Sequence, residues 1–450
     1  MVKVGLEIHG YINSNEKLFC ACKAIHGAKY TKPNTNICPI CTGQPGAKPM
    51  LPNSRTIEKA IQISLLLNCK INEKLIWQRK HYNWPDLPKG FQNTISGPYA
   101  SPVGVKGKFE GIGITECHLE EDPAAWNPET GEIDYNRSGS PLIEIVTEPD
   151  FTSSEQVVEW LKKLLATLSY IKAIDKTSGI KADVNVSTTG ERVEIKNVNS
   201  LTNIKNAIEV EIKRQEKEKI KIQETRRYDS EKNKTTLMRT KENAEDYRFI
   251  SEPDLPAIKI EHLRINKIKN ALPETPTEKL QKLIKKHKIS QKHAEILTKK
   301  IDIVEFFEKV IEKVNPKIAI PWTTIELMGT LNYAKKELDE IEINVEHFIE
   351  LLQLIEKKII TELKAKEILR KFIPKSFSPK EEAKSQSRIS KKSDIENFVK
   401  QTIKENQKAV ADYKSGQQNA LNFLIGQVMK ISNKRADYKV AKEELIKWLK

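Results

Sequence analysis

An α+β fold is predicted for this chain, with strands and turns in the first part and long helices after it. Three observations carry the prediction. Fifteen of the 18 glycines fall within residues 1–200, leaving only Gly329, Gly416 and Gly426 beyond, so tight turns belong to the first part. Polar and apolar residues alternate with period two in short segments of that same part. After Pro253-Asp-Leu-Pro256 the pattern changes to helical periodicity broken by Pro273, Pro276, Pro316, Pro321 and Pro374.

In chain order, the strands are read from Val2-Val4-Leu6-Ile8, Ile112-Ile114, Ile143-Ile145, Ala182-Val184-Val186 and Val193-Ile195. A helix is expected over Ser154–Tyr170, opened by serine and with Glu155 in its first turn, and a second over about 203–218. The stretch 372–393, rich in Ser, Lys and Pro, reads as a linker or exposed loop before a last helical unit that runs to Lys450. No internal repeat and no sustained heptad occurs.

With 450 residues the chain is long enough for more than one core. The longest apolar stretches, such as Ile61–Leu67, fall far short of the ~20 residues that a membrane helix needs. The opening MVKVGLEIHG lacks a continuous apolar segment, so the expected location is the cytoplasm, where disulfides are the weaker reading of cysteine pairs. Lys+Arg outnumber Asp+Glu by 76 to 61, a formal charge of +15, and Lys371–Lys450 alone holds +9 of it. A polyanion such as nucleic acid is the natural partner of that basic end, although lysine dominates arginine along the whole chain.

Cys20, Cys22, Cys38 and Cys41 form a C-x-C, fifteen residues, then a C-x-x-C. Two close pairs joined by a loop supply the four corners of a tetrahedral zinc site, closed and therefore structural. The short first pair leaves His26 as a substitute ligand. Cys69 and Cys117, in apolar surroundings, read as buried thiols.

A second constellation consists of carboxylates on strands. Alternation sets Glu7 and His9 on one face, Asp183 with Asn185, and Glu194 with Lys196, while the run ECHLEED ends on Glu120, Glu121 and Asp122. Stacked acids repel unless a cation joins them, and oxygen donors with one histidine suit Mg²⁺ or Mn²⁺. A one-sided antiparallel sheet with a solvated polar face shows the same alternation, so both readings stand at this level.

Absent motifs narrow the chemistry. There is no GxxxxGK[ST], GxGxxG or GxSxG, and no Gly-Gly dipeptide. Phosphates would thus be held through metal on carboxylates, and no serine nucleophile site is visible. The loop RKHYNWPDLPKGFQ, Arg79 to Gln92, combines bases with Tyr82, Trp84 and Phe91, a composition able to stack on a base and pair with phosphates. Such loops also simply pack onto sheets.

The strings VGLEIHG, KLFC, PNTNICPICTGQPG, RKHYNWPDLPKGFQ, HLEED, DYNRSGSPLIEIVTEPD, DVNVS, VEIKNVNS, ETRRYD and DYRFISEPDLP occur in this order. Together with VADYKSGQQNALNFLIGQVMK near the end, they resemble the B-subunit family of the tRNA-dependent glutamyl/aspartyl amidotransferases. The resemblance implies a cradle-like antiparallel sheet domain at about 1–265 with a zinc-binding insert near 20–41, a helical domain at 266–380 and a tRNA-binding tail at 390–450. It implies an ATP- and Mg²⁺-dependent phosphorylation of the side-chain carboxylate of Glu or Asp mischarged on tRNA. Amidation then uses ammonia from the separate amidase subunit, and a further small subunit completes the enzyme. An alternative is a zinc-stabilised tRNA-binding subunit without catalysis.

Carried onto this sequence, the resemblance makes Glu7, His9 and Glu121 ligands of Mg²⁺, with Asp183, Asn185 and Glu194 in the same cradle. Lys196 joins Glu7, His9 and Glu121 as catalytic. Arg79, Lys80, Tyr82 and Lys89 are expected at the phosphates or the tRNA end, and the four cysteines match zinc-binding members. Two stretches depart from the family pattern: Glu120-Glu-Asp-Pro-Ala-Ala-Trp126 lacks the usual lysine, and Thr177-Ser-Gly-Ile-Lys-Ala182 replaces a stretch ending in arginine.

Overall fold

A computed structural model describes residues 1–25, 32–175, 179–241, 247–385 and 387–449. His26 and the Thr177–Ser178 part of the second departure lie outside the described residues. The chain forms two compact units, Met1–Thr275 and Pro276–Lys450.

The first unit is built on a 12-stranded sheet. Its main path runs Lys234–Lys241, Gln223–Asp229, Val193–Asn199, Ile180–Ser187, Lys3–Tyr11, Pro141–Thr147, Ile112–Glu121, Gln92–Thr94, Gln78–His81 and Arg248–Ser251. All neighbours are antiparallel except Val193–Asn199 with Gln223–Asp229. Gly104–Phe109 and then Lys70–Ile71 add to the other end of Ile112–Glu121. All five strand segments expected from alternation are present.

Period two explains which face is covered. Val4, Leu6 and Ile8 stand beside Ile143 and Ile145 on one neighbour and Ala182, Val184 and Val186 on the other, and all are buried in one core. The helices Ser54–Leu66, Ser154–Tyr170 and Leu201–Lys217 cover that side. Ser154–Tyr170 has the bounds the sequence predicted, with the Ser153 side chain capping Gln156 N–H. Trp160 on this helix donates its indole N–H to Phe109 O at 2.8 Å and packs edge-on against Phe109 and Phe151.

Among the described residues, the second unit is built of helices and the turns that join them. Pro276 and Pro316, read from the sequence as breaks between helices, are each the first residue of one, whereas Pro321 does not interrupt the helical path. The chain continues from Pro316–Pro321 through a π-helical turn, Trp322–Leu327, into Met328–Tyr333. The wider turn is one way a helix accommodates a proline ring without breaking. The segment read as a linker is also packed. Phe372 is fully buried, Phe377 meets it edge-on at 5.5 Å, and Pro379–Ser385 is a helix. Composition hid this because a few apolar anchors hold down an otherwise polar stretch. Beyond it, the helices Lys392–Glu405, Asn419–Ile431 and Tyr438–Leu449 bury a core of their own around Val399, Leu424, Val428 and Leu445. No helix among the described residues is long and apolar enough to cross a membrane.

Candidate functional site

The uncovered side of the sheet collects acids from neighbouring strands because the register aligns like with like. Glu7 pairs with Asp183, His9 with Glu144, and Glu144 with His118. A β-bulge adds Lys196: Ala182 and Val184 oppose Val198 and Ile195, so Lys196 and Asn197 together face Asp183. Asn197 takes φ 55 there. Asp183 accepts from Lys196 Nζ and from Asn197 N–H, each at 2.7 Å.

Two groups of ligating atoms result. In the first, Glu7, Asp183 and Glu194 each present an oxygen within 4.8 Å of the others. Lys196 bridges Asp183 at 2.7 Å and Glu194 at 2.6 Å, and Thr225 Oγ1 donates to Glu194 at 3.2 Å. Asn185 donates to Glu7 at 3.2 Å, while its Oδ1 is buried without a partner. In the second group, His118, Glu120 and Glu144 meet within the same limit. His118 Nε2 lies 3.1 Å from Glu144 and its Nδ1 3.0 Å from Glu116. His9 stands between the groups, 3.8 Å from Glu144 and 4.0 Å from Asp183.

Burial settles which reading of the alternation applies. Glu120, Glu144, Asp183 and Glu194 expose only 4–7% of their surface, so this is no solvated polar face. Burial raises the Glu7 carboxyl, and the Glu144 charge raises it further. Burial alone would also raise Glu144, but the His9 and His118 imidazoles outweigh it and hold Glu144 well below the usual range. The converse holds for His118. Burial would lower it, yet the surrounding carboxylates, Glu144 first, raise it well above an ordinary histidine. Lys196 is likewise raised by Asp183 and Glu194 against the cost of burial, and Lys80 by Glu120 and Glu144. Six carboxylates, those of residues 7, 116, 120, 144, 183 and 194, therefore face Lys80, Lys196 and the imidazoles of His9 and His118.

The structure separates the expected site residues. Glu7, His9, Asp183, Asn185, Glu194 and Lys196 come together. Glu121 joins neither carboxylate group. One position beyond Glu120 it leaves that face, and its Oε1 accepts from Asn93 N–H at 2.9 Å and from Lys89 Nζ. Lys80 reaches toward Glu120 at 3.7 Å and over the Tyr247 ring at 5.0 Å, and Tyr82 meets Tyr247 edge-on. Arg79, on the other face of its strand, forms a fork with Glu252 at 2.9 and 2.8 Å and reaches Asp254 at 3.2 Å. Arg79 and Lys89 are thus engaged by acids, not aimed with Lys80 at the cradle.

Sequence reading missed Glu116, His118, Glu144 and Tyr247. A signal for three of them existed. In ECHLE the polar residues recur at every second position, and Glu144 sits alone between Ile143 and Ile145. At the first departure from the family pattern, Ala125–Trp126 pairs with Ile133–Asp134, and Trp126 packs edge-on against Trp84 at 5.4 Å. The cation at Asp122 there is Arg137, 3.0 Å away.

The sulfurs of Cys20, Cys22, Cys38 and Cys41 converge within 4.8 Å. Cys38 and Cys41 Sγ are 3.8 Å apart, which matches the edge of a tetrahedron of sulfurs about 2.3 Å from a central zinc. Cys41 is lowered to about 4 by the Cys20 thiol, by Cys38 N–H and by Lys17. The turn after Cys41 lies against the loop carrying Lys89. Gly43 has φ +66, and a Cβ there would stand 2.4 Å from Pro88 O. Gly43→Ala is expected to cost about 2–3 kcal/mol in denaturant unfolding, from the left-handed backbone and the clash together. A change under about 0.5 kcal/mol would mean that the two loops part freely.

Residues 2–266 match the family described as GatB/GatE catalytic domain, and residues 305–449 match the GatB domain. Curated relatives include the B subunit of an aspartyl/glutamyl-tRNA(Asn/Gln) amidotransferase of Methanocaldococcus jannaschii, 41% identical over 97% of this chain and 96% of the relative. Proteins of the same name in Methanococcus maripaludis and Methanothermobacter thermautotrophicus are each 40% identical over 97% of this chain, covering 96% and 97% of their own lengths.

Proposed function

The chain belongs to the GatB/GatE family, and from that premise we propose that it activates the side-chain carboxylate of Glu or Asp mischarged on tRNA, for conversion to the amide. The observation that carries this reading is the excess of carboxylate on one sheet face, four of its six acids buried, which Lys80, Lys196, His9 and His118 together do not neutralise even with both imidazoles charged.

The donor set fits a hard divalent cation. Glu7, Asp183 and Glu194 converge, Asn185 Oδ1 lacks a partner, and the raised Glu7 carboxyl marks a site that gains from added positive charge. Mg²⁺ would be held by these four with His9. When bound, it neutralises phosphate oxygens as charge shifts during transfer. Glu121, which stands apart from this set, instead holds Lys89. Tyr82, Lys80 and Tyr247 form a rim suited to the aminoacyl end.

In the reaction, a side-chain carboxylate oxygen takes the γ-phosphoryl group of ATP as its bond to ADP breaks. Ammonia then forms the C–N bond and phosphate leaves. The protein needs no nucleophile for this, only positioning and cations, in keeping with the motifs the sequence lacks. Lys196 and Lys80 supply fixed positive charge facing the transferred group. Ammonia would come from the amidase subunit of the same complex, in which a further small subunit takes part. The basic tail would grip the tRNA body through its excess of lysine and arginine. The four cysteines would hold a structural Zn²⁺.

The test is the complex reconstituted with its amidase partner and mischarged tRNA. ATP hydrolysis that depends on that tRNA is expected. Binding of tRNA without ATP turnover would reduce the chain to a binding subunit. Elemental analysis of the purified chain should find close to one zinc per molecule, and less than about a tenth would refute the four-cysteine site.

A further inference from the structure

Lys17 is among the largest fully buried side chains of the protein, with 1% of its surface exposed. It precedes the first cysteine pair and is anchored by its own backbone, Lys17 N–H donating to Cys22 O at 2.9 Å and Leu18 N–H to Gly139 O at 2.8 Å. Its ammonium donates to Asn36 O at 3.1 Å, Tyr135 O at 3.2 Å and Cys41 Sγ at 3.4 Å. None of the three is a carboxylate. A buried ammonium is costly unless an opposite charge compensates it, and two neutral carbonyls do not. The remaining partner is sulfur. Four thiolates around a divalent ion leave two negative charges in a site whose Cys20 and Cys41 are buried.

We propose that Lys17 is the counter-charge of the four-cysteine centre, a positioning residue whose ammonium neutralises part of the tetrathiolate charge through Cys41 and so retains the metal. The inference rests on the zinc reading above. Cys38 N–H, which donates to Cys41 Sγ at 3.2 Å, acts in the same sense with a weaker partial charge. Lys17 also links the cluster through Tyr135 O to the loop before Pro141–Thr147, the strand of Glu144. Ser138 Oγ, donating to Cys41 O at 2.7 Å, makes a second link of that kind.

The experiment compares the full-length wild type with Lys17→Met and Lys17→Gln. Zinc content, the chelator concentration that removes half of the zinc, and the sulfur-to-metal charge-transfer band after Co²⁺ substitution are measured. Both variants are expected to lose zinc to about 10- to 100-fold less chelator. Their cobalt band should shift to lower energy, because more electron-rich sulfurs give up charge more easily. Lys17→Gln keeps donors toward the two carbonyls, so it isolates charge from hydrogen bonding and carries the comparison should Lys17→Met not fold. Lys17→Gln with wild-type zinc retention and an unmoved band would overturn the proposal and leave Lys17 a packing residue. A wild type without zinc would overturn the zinc reading itself and this inference with it, a result distinct from the first.

Discussion

Asp183→Asn is expected to lower tRNA-dependent ATP turnover in the reconstituted complex by about 10³-fold or more, while leaving the glutaminase activity of the amidase partner intact. Asp183 is the residue on which the cradle converges. It takes the Lys196 ammonium and Asn197 N–H at 2.7 Å each, faces His9 at 4.0 Å, and shares the first ligand group with Glu7 and Glu194. Asparagine keeps the shape and one acceptor oxygen but removes the charge that balances Lys196 and would bind a divalent ion. The amide nitrogen also turns a donor toward one of the two donors already present. Retention of more than a tenth of wild-type turnover would show that the phosphoryl group is handled elsewhere. Equal loss of glutaminase activity would mean that the substitution has damaged the fold.

His118→Gln should have the largest effect on stability, about 3–5 kcal/mol, because it removes one partner from a buried charge network and strands the others. The imidazole ring is 3% exposed, with Glu144 at 3.1 Å and Glu116 at 3.0 Å. The pH dependence gives a sharper test. His118 is raised above its unfolded value of 6.5, so its contribution is complete below pH 6.5 and is lost as pH rises through the raised folded value. Glu144 is lowered from 4.5, so its contribution is complete above that value and is lost as pH falls through the lowered one. Both act fully between about pH 4.5 and 6.5. Wild-type stability should therefore decline above pH 6.5, and His118→Gln should flatten that decline. Parallel curves for the two proteins from pH 6 to 9 would show that His118 is neutral in the folded state.

Much of the site was legible because strands obey period two. The pairs Glu7 with His9, Asp183 with Asn185 and Glu194 with Lys196 follow from alternation alone. The cysteine spacing was equally direct, and the sulfurs converge. What alternation left open was the placement of residues within runs of like kind. Glu120 and Glu121 are adjacent acids, and only the register with Leu142 and the fold of the Arg79–Gln92 loop decides that Glu120 faces His118 while Glu121 turns to Lys89. Arg79 and Lys80 divide in the same way. Composition could not tell them apart, since both are basic, and the acids that claim Arg79 lie at residues 252 and 254. The linker reading of 372–393 failed for another reason: two aromatic anchors, Phe372 and Phe377, outweigh a polar stretch once a partner surface exists.

Residue type and local spacing were enough for five strand segments and their two faces, the helix Ser154–Tyr170, the cysteine pairs and the kinds of donor available, because these depend on near neighbours along the chain. Which donors meet depends on contacts between distant segments. Register across separate strands set Glu7 against Asp183 and His9 against Glu144, and one bulge turned Lys196 onto Asp183. Charges repel or attract by distance in space, so whether a row of acids is a solvated surface or a site for a cation was fixed by burial and register together.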